Sequence, residues 1–200
     1  MQNVTLTPAI FIDRDGVINA NRPDHVKRWE EFVFLPGALD ALQALASQPA
    51  LVFVITNQAI IGRGVAPAAI VEDIHARMRA SVAAAGGRID GVYLCPHRPE
   101  DGCDCRKPRP GMLLRAAREH GLDLSRSIFI GDALSDAQAA AAAGVTPILV
   151  SSGRRAEQRK ALLADPWLRG TRFVDDLGAA VAVILEAQNR PHRPRFCAGA

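Results

Sequence analysis

The feature that most constrains this chain is an alternation. Short runs of β-branched and aromatic residues are separated by longer Ala- and Leu-rich segments. The runs are Ala9–Asp13 (AIFID), Leu51–Thr56 (LVFVIT), Ile89–Cys95 (IDGVYLC), Ser127–Asp132 (SIFIGD), Thr146–Val150 (TPILV) and Thr171–Asp175 (TRFVD). Most are nearly continuous in apolar residues, as expected of parallel strands covered on both faces. The intervening segments 37–48, 67–85, 110–120, 133–143, 155–164 and 176–187 read as helices; Pro67 and Pro110 suit first turns, and Gly121 and Gly144 suit helix ends. The alternation predicts an α/β fold: a doubly wound, mostly parallel, Rossmann-like sheet with right-handed crossovers.

At 200 residues the chain has the size of one domain, and 48% apolar content is enough for a real core. The domain is placed at residues 1–186. The remainder, 187–200, is basic, Pro-bearing and aperiodic and is expected to be a mobile tail, with Cys197 an incidental thiol. A net charge of +3 with dispersed basic residues excludes a disordered polyelectrolyte and argues against a nucleic-acid binder. Met1–Leu6 carries no basic residue, so no secretory signal is read, and the longest charge-free stretch, Ala41–Gly62, is too polar to span a membrane. With no heptad seam, a cytoplasmic monomer is expected.

In doubly wound sheets ligands bind beyond the carboxyl ends of the strands, so the residues just after each strand carry the information. The first strand ends in Asp13-Arg14-Asp15-Gly16-Val17; residues two apart on an extended chain project to one side, so both carboxylates can face one pocket. The second ends in Thr56-Asn57-Gln58, which in isolation reads as a turn. The fourth ends in Gly131-Asp132, with Asp136 four residues on, a pattern also met at helix N-caps. Arg106-Lys107-Pro108 lies between them. Each is weak alone, but the fold would converge them.

Three of the four cysteines fall within eleven residues. Cys95-Pro-His97 followed by Cys103-Asp-Cys105 gives C-x-H-x5-C-x-C. A disulfide would leave His97 idle, and core cysteines do not predict Pro-, Gly- and Asp-rich surroundings. Four soft or borderline ligands match a closed structural zinc site in a reducing compartment. Cys105 stands two residues before Lys107, so zinc would staple the loop that carries it.

In order and spacing, DRDGV, VITN, RKP and GDALSD resemble the four motifs of the haloacid dehalogenase superfamily over roughly residues 9–150. That resemblance implies that Asp13 attacks phosphorus and becomes an aspartyl phosphate, while Asp15 protonates the leaving oxygen and then activates water. It implies Mg²⁺ on Asp13, Asp132 and the Asp15 carbonyl, with Lys107, Thr56 and amides near Asn57 on the phosphoryl oxygens. The intervals Gly16–Thr56 (one expected hairpin and one helix) and Asn57–Arg106 have no room for a cap domain, so the site should be open.

The longer string CPHRPEDGCDCRKPRPGM (Cys95–Met112) resembles the D-glycero-D-manno-heptose 1,7-bisphosphate 7-phosphatases, with histidinol-phosphate phosphatases as relatives sharing the zinc loop. Pro110–Met112 and Ile61-Gly62-Arg63-Gly64 favour the heptose branch. The resemblance implies a phosphoric monoester hydrolase acting on a small phosphorylated sugar. Arg14, Asn21, Arg22, Asn57, Gln58, Arg63 and Arg106 are the expected substrate contacts. The sequence departs from the family's usual residues at Asn21–His25, at Ala59-Ile60 and at Ala133, all on the expected substrate rim. The competing readings are a histidinol-phosphate or broader phosphomonoesterase of the same mechanism, and a phospho-accepting signalling domain. The second carboxylate, Asp15, has no purpose in the signalling reading.

Overall fold

A computed structural model describes residues 6–153 and 156–189. Six strands, β1 (Ala9–Ile12), β2 (Leu51–Asn57), β3 (Gly91–Cys95), β4 (Ile128–Gly131), β5 (Thr146–Val150) and β6 (Arg172–Val174), form one sheet in the order β3-β2-β1-β4-β5-β6. Every pairing is parallel. The helices are α1 (Ala38–Leu45), α2 (Ala59–Gly62), α3 (Ala68–Ala84), α4 (Gly111–His120), α5 (Leu134–Ala142), α6 (Ala156–Leu163) and α7 (Leu177–Asn189). The predicted doubly wound α/β sheet is thus the observed one.

The period-two geometry of a strand divides the apolar runs between two cores. Ile10 and Ile12 of β1, Val52 and Val54 of β2, and Ile148 and Val150 of β5 face one side, with Leu42 and Leu45 of α1, Ile74 and Met78 of α3 and Val181 and Ile184 of α7. The alternate residues Phe11, Phe53 and Phe129 face the other side, with Met112 and Leu113 of α4 and Ala139 and Ala140 of α5. Register sets Phe11 opposite both Phe53 and Phe129, with ring centroids 5.9 and 6.5 Å away. Truncating such a ring costs about 3–5 kcal/mol.

The chain winds from β1 outward to β2 and β3, then returns to β4 on the other side of β1. The reversal falls between β1 and β4, where a crevice opens beyond the strand ends. Asp13 follows β1 and Asp132 follows β4, so the sheet order itself brings them together.

Several local expectations are corrected. Pro67 and Pro110 stand one residue before their helices rather than inside the first turn. The short helix α2 was not anticipated. The expected hairpin after β1 is no two-stranded ribbon: the chain closes by a single antiparallel bridge, Asn19 to Phe34, flanked by Ala20 N–H to Val33 C=O (2.8 Å) and Leu35 N–H to Ile18 C=O (2.9 Å). A 3-10 turn at Trp29–Glu31 lies between the two sides of that bridge. Between β1 and β2, and between β2 and β3, there is no domain-sized insertion, only these turns and helices α1 to α3. Helix α7 runs to Asn189, past the boundary placed at 186; the rest of the expected tail, and Cys197, lie outside the described residues.

Candidate active site and metal loop

Asp13 directly follows β1, with its N–H on Ile130 C=O at 2.9 Å, which ties it to β4. One of its carboxylate oxygens, Oδ1, accepts from the Arg14 N–H at 2.7 Å and pairs with Lys107 Nζ at 2.8 Å. Lys107 Nζ also meets Asp136 Oδ1 at 2.8 Å and donates to Ile55 C=O at 3.0 Å. Asp136 in turn accepts the Asp132 and Ala133 N–H groups on Oδ2, both at 3.0 Å, at the start of α5. Oxygens of Asp13, Asp132 and Asp136 lie within 4.8 Å of one another, and all three residues are buried.

Three carboxylates against one ammonium leave excess negative charge out of water. Burial, reinforced by Asp136 and Asp132 and only partly opposed by Lys107, pushes the Asp13 carboxyl up to about 8. Burial works against the Lys107 charge, but Asp13 and Asp136 outweigh it and hold its pKa above the ordinary lysine value. A hard divalent cation relieves this imbalance, so the donor set fits Mg²⁺ on chemical grounds.

The neighbouring Asp15 is held differently. Arg14 Nη2 reaches its Oδ1 and Oδ2 at 3.0 and 2.9 Å, Asn19 Nδ2 donates to Oδ1 at 2.9 Å, and Gln58 Nε2 donates to Oδ2 at 2.9 Å. Burial opposes its charge, but Arg14, Asn19 and Gln58 outweigh that and hold its pKa below the ordinary value. Gln58 Nε2 also donates to Thr56 Oγ1 at 2.7 Å.

These groups floor an open cleft of about 300 Å³. Asp13, Asp15, Thr56, Asn57, Lys107 and Asp132 line it, and Asn21, Arg22 and Arg106 form its rim. Three expected substrate contacts do not line it. Arg14 is 1% exposed and faces inward onto Asp15, because its guanidinium is taken up by that carboxylate. Gln58 is buried with its amide spent on Asp15 and Thr56. Arg63, exposed at the end of α2, is absent from the lining.

Beside the cleft, Cys95, His97, Cys103 and Cys105 present their ligand atoms to one another. The separations are 3.6 Å (Cys95–Cys103), 3.4 Å (Cys103–Cys105), 3.2 Å (His97 Nδ1–Cys105) and 3.7 Å (Cys95–His97 Nδ1). The edge of a tetrahedron built on Zn–S bonds of about 2.3 Å is about 3.8 Å, close to these values. The four residues could hold zinc, as the spacing predicts, and none of the three cysteines is in a disulfide.

Comparison with known proteins gives the arrangement a lineage. A family model described as HAD-hyrolase-like matches residues 104–180. The D-glycero-beta-D-manno-heptose-1,7-bisphosphate 7-phosphatase of Pseudomonas aeruginosa is 40% identical over 177 residues, covering 88% of this chain and 97% of its own. The same enzyme of Bordetella bronchiseptica is 41% identical over 177 residues, with the same coverage. The crystal structure of D,D-heptose 1.7-bisphosphate phosphatase from B. bronchiseptica, complexed with magnesium and phosphate, superposes with a TM-score of 0.84 at 40% identity, covering 90% of this chain and 99% of that one. The chain belongs to the heptose bisphosphate 7-phosphatase family of haloacid dehalogenase-like hydrolases. It is a phosphoric monoester hydrolase.

Membership agrees with the geometry: magnesium and phosphate in the Bordetella structure are the two species that a buried carboxylate cluster beside a lysine suits. Sequence reasoning noticed Asp136 but gave it no role, and here it is the second carboxylate on Lys107. The signal was its spacing of four from Asp132, which returns its side chain over the strand end from the first turn of α5. His25, named in the sequence only as the end of the Asn21–His25 departure, also lines the cleft, with φ at +64°. His75, buried on α3, gave no local signal at all.

Proposed function

We propose that this enzyme removes the 7-phosphate of D-glycero-D-manno-heptose 1,7-bisphosphate through an aspartyl-phosphate intermediate. The single observation that carries the reading is the placement of Asp13 and Lys107, 2.8 Å apart, at the meeting of β1 and β4 in a chain 40% identical to enzymes of that name.

In this reading an Asp13 carboxylate oxygen attacks phosphorus as the bond from phosphorus to the sugar oxygen breaks. Asp15, ionised in the free enzyme, takes up a proton from solvent as the anionic ester binds beside it and passes that proton to the oxygen, so the sugar leaves as a neutral alcohol. Asp15 then takes a proton from the water that attacks the phosphoryl group, the bond to Asp13 breaks, and inorganic phosphate departs. Lys107 neutralises the charge shared between Asp13 and the phosphoryl oxygens, and Thr56 with amides near Asn57 supplies hydrogen bonds to them. Asp13, Asp132 and Asp136, with the Asp15 carbonyl, would hold Mg²⁺, which screens the anionic nucleophile from the anionic ester when bound.

The rim residues Asn21, Arg22 and Arg106 are assigned to the sugar and its other phosphate, since guanidinium groups suit phosphate oxygens. The partner is therefore a small phosphorylated sugar; the modest charge of +3 argues against nucleic acid, and no described helix is long and apolar enough to cross a membrane. A monomer in the reducing cytoplasm is the accompanying assignment; the free thiols of the metal loop suit a reducing compartment, and the sequence has no heptad seam.

Steady-state kinetics with Mg²⁺ on both heptose bisphosphate anomers, histidinol phosphate and simple phosphomonoesters tests the reading. The highest kcat/KM is expected for a heptose bisphosphate. Preference for histidinol phosphate would move the enzyme to the sister branch, and a stable phosphoprotein without turnover would overturn hydrolysis altogether.

A further inference from the structure

A histidine on the apolar face of a helix is ordinarily a core residue with its polar atoms satisfied. His75 lies between the core residues Ile74 and Met78 of α3, is 5% exposed, and does not line the cleft. What sets it apart is its partner. Its Nε2 lies 3.0 Å from Arg14 Nη1. A guanidinium only donates, so Nε2 accepts and the ring proton sits on Nδ1.

The remaining hydrogen bonds of the Arg14 side chain go to the active-site layer. Nε and Nη2 reach Asp15, and Nη2 also donates to Gln58 Oε1 at 3.2 Å. Asp15 and Gln58 stand on loops. Among the described residues, His75 is the one acceptor on this guanidinium that belongs to a long helix, 17 residues packed into the core. It therefore ties an otherwise loop-borne cluster to the rigid part of the molecule.

We infer that His75 is a positioning residue for the acid/base carboxylate: it fixes Arg14, and Arg14, gripping Asp15 from behind, fixes the angle at which that carboxyl meets the leaving oxygen. This rests on the assignment of Asp15 as the acid/base. Removing the ring acceptor leaves Arg14 free to turn and lets the Asp15 carboxyl rotate away from its aim. Proton delivery then suffers, while attack by Asp13 does not.

The test exploits leaving-group acidity, because kcat/KM counts steps only up to departure of the leaving group. An alkoxide needs a delivered proton, and p-nitrophenolate hardly does. With Mg²⁺ present, kcat/KM is measured for heptose bisphosphate and for aryl phosphates of graded leaving-group acidity, p-nitrophenyl phosphate included. His75→Leu, which fills the space without an acceptor, is expected to lose about 10–100-fold on the sugar phosphate and less than about threefold on p-nitrophenyl phosphate. His75→Gln, which restores an acceptor, is expected to recover most of the difference.

Equal losses on all substrates, or no loss, would overturn the inference and leave His75 a core residue. Asp15→Asn serves as the separate control. If it is selective for poor leaving groups while His75→Leu is not, only the inference falls; if it is not selective, the acid/base assignment itself has failed. Should His75→Leu not fold, Arg14→Met removes the grip directly and is judged by the same selectivity.

Discussion

Asn57 brackets the backbone of Lys107: its Nδ2 donates to the Lys107 carbonyl and its Oδ1 accepts the Lys107 N–H, both at 3.1 Å. The residue at the end of β2 thus satisfies both polar groups of the residue whose ammonium sits on Asp13. Asn57→Ala removes both bonds, and two such bonds are worth about 1–3 kcal/mol together. A lower melting temperature and a fall in kcat of about 10–100-fold are expected, since Lys107 loses its backbone register. Thermal unfolding beside steady-state kinetics checks this; full activity would show that the bracket does not aim the lysine.

Asp13→Asn should abolish turnover without harming the fold. The sign of the stability change follows from burial. With a pKa raised to about 8, Asp13 favours the folded state fully only below its unfolded pKa near 3.8, and that contribution is lost as pH climbs toward 8. In metal-free protein at neutral pH the neutral amide should therefore match or exceed the native melting temperature. Differential scanning calorimetry in chelator checks the stability, and phosphate release with Mg²⁺ checks the activity; near-normal turnover would remove the nucleophile assignment.

Gly153 touches the site from behind. A Cβ there would stand 2.4 Å from Gly16 Cα and 2.6 Å from Asp132 Oδ2. Gly16 has φ of +90° and its carbonyl accepts the Ser152 hydroxyl at 3.1 Å, so the two loops cannot simply part. Gly153→Ala should displace the Asp132 carboxylate and raise the Mg²⁺ concentration for half-activation by about tenfold or more. Titrating activity and binding heat with Mg²⁺ measures it; an unchanged curve would mean that Asp132 is not a ligand.

His75 gives the acid limb of stability a direction. Burial first, and the Arg14 charge second, lower its pKa from 6.5 to about 3. Between those values the unfolded chain binds the proton and the folded chain does not, so stability rises with pH across the window and falls on acidification. The slope for one proton is about 1.4 kcal/mol per pH unit at most. Urea unfolding from pH 3 to 7 should be shallower by up to that amount in His75→Gln than in the native protein.

Stripping zinc from the four-ligand loop should cost activity as well as local stability, because Cys105 precedes Lys107 by two residues. A chelator-treated sample verified free of zinc, then supplied with Mg²⁺, is expected to lose most of its kcat and to recover it on zinc addition. Undiminished turnover would separate the loop from catalysis.

Much of this was legible from strand ends alone. Asp13 and Asp132 follow short apolar runs and Thr56 closes another; the alternation of those runs with helices pointed to a parallel doubly wound sheet, and the strand order seen in the structure brings their ends together. The metal loop was legible because ligand chemistry restricts residue type more sharply than packing does. Arg14 and Gln58 turn away from the cleft because a polar side chain beside a site can face the ligand or its neighbours, and spacing does not say which; Arg63 stands exposed at the end of α2, outside the cleft lining. His75 was invisible because its partner is 61 residues away, and only packing brings α3 beneath the first strand-end loop.

The central position of β1 has a consequence for how such enzymes diversify. Asp13, Asp15 and Asp132 hang from the central strands β1 and β4, while Asn21, Arg22 and His25 ride on a stretch that closes by one antiparallel bridge. On the proposed assignment of these rim residues, exchanging that stretch for a relative's is expected to change which alcohol is accepted while Asp13, Asp132 and Lys107 stay in place.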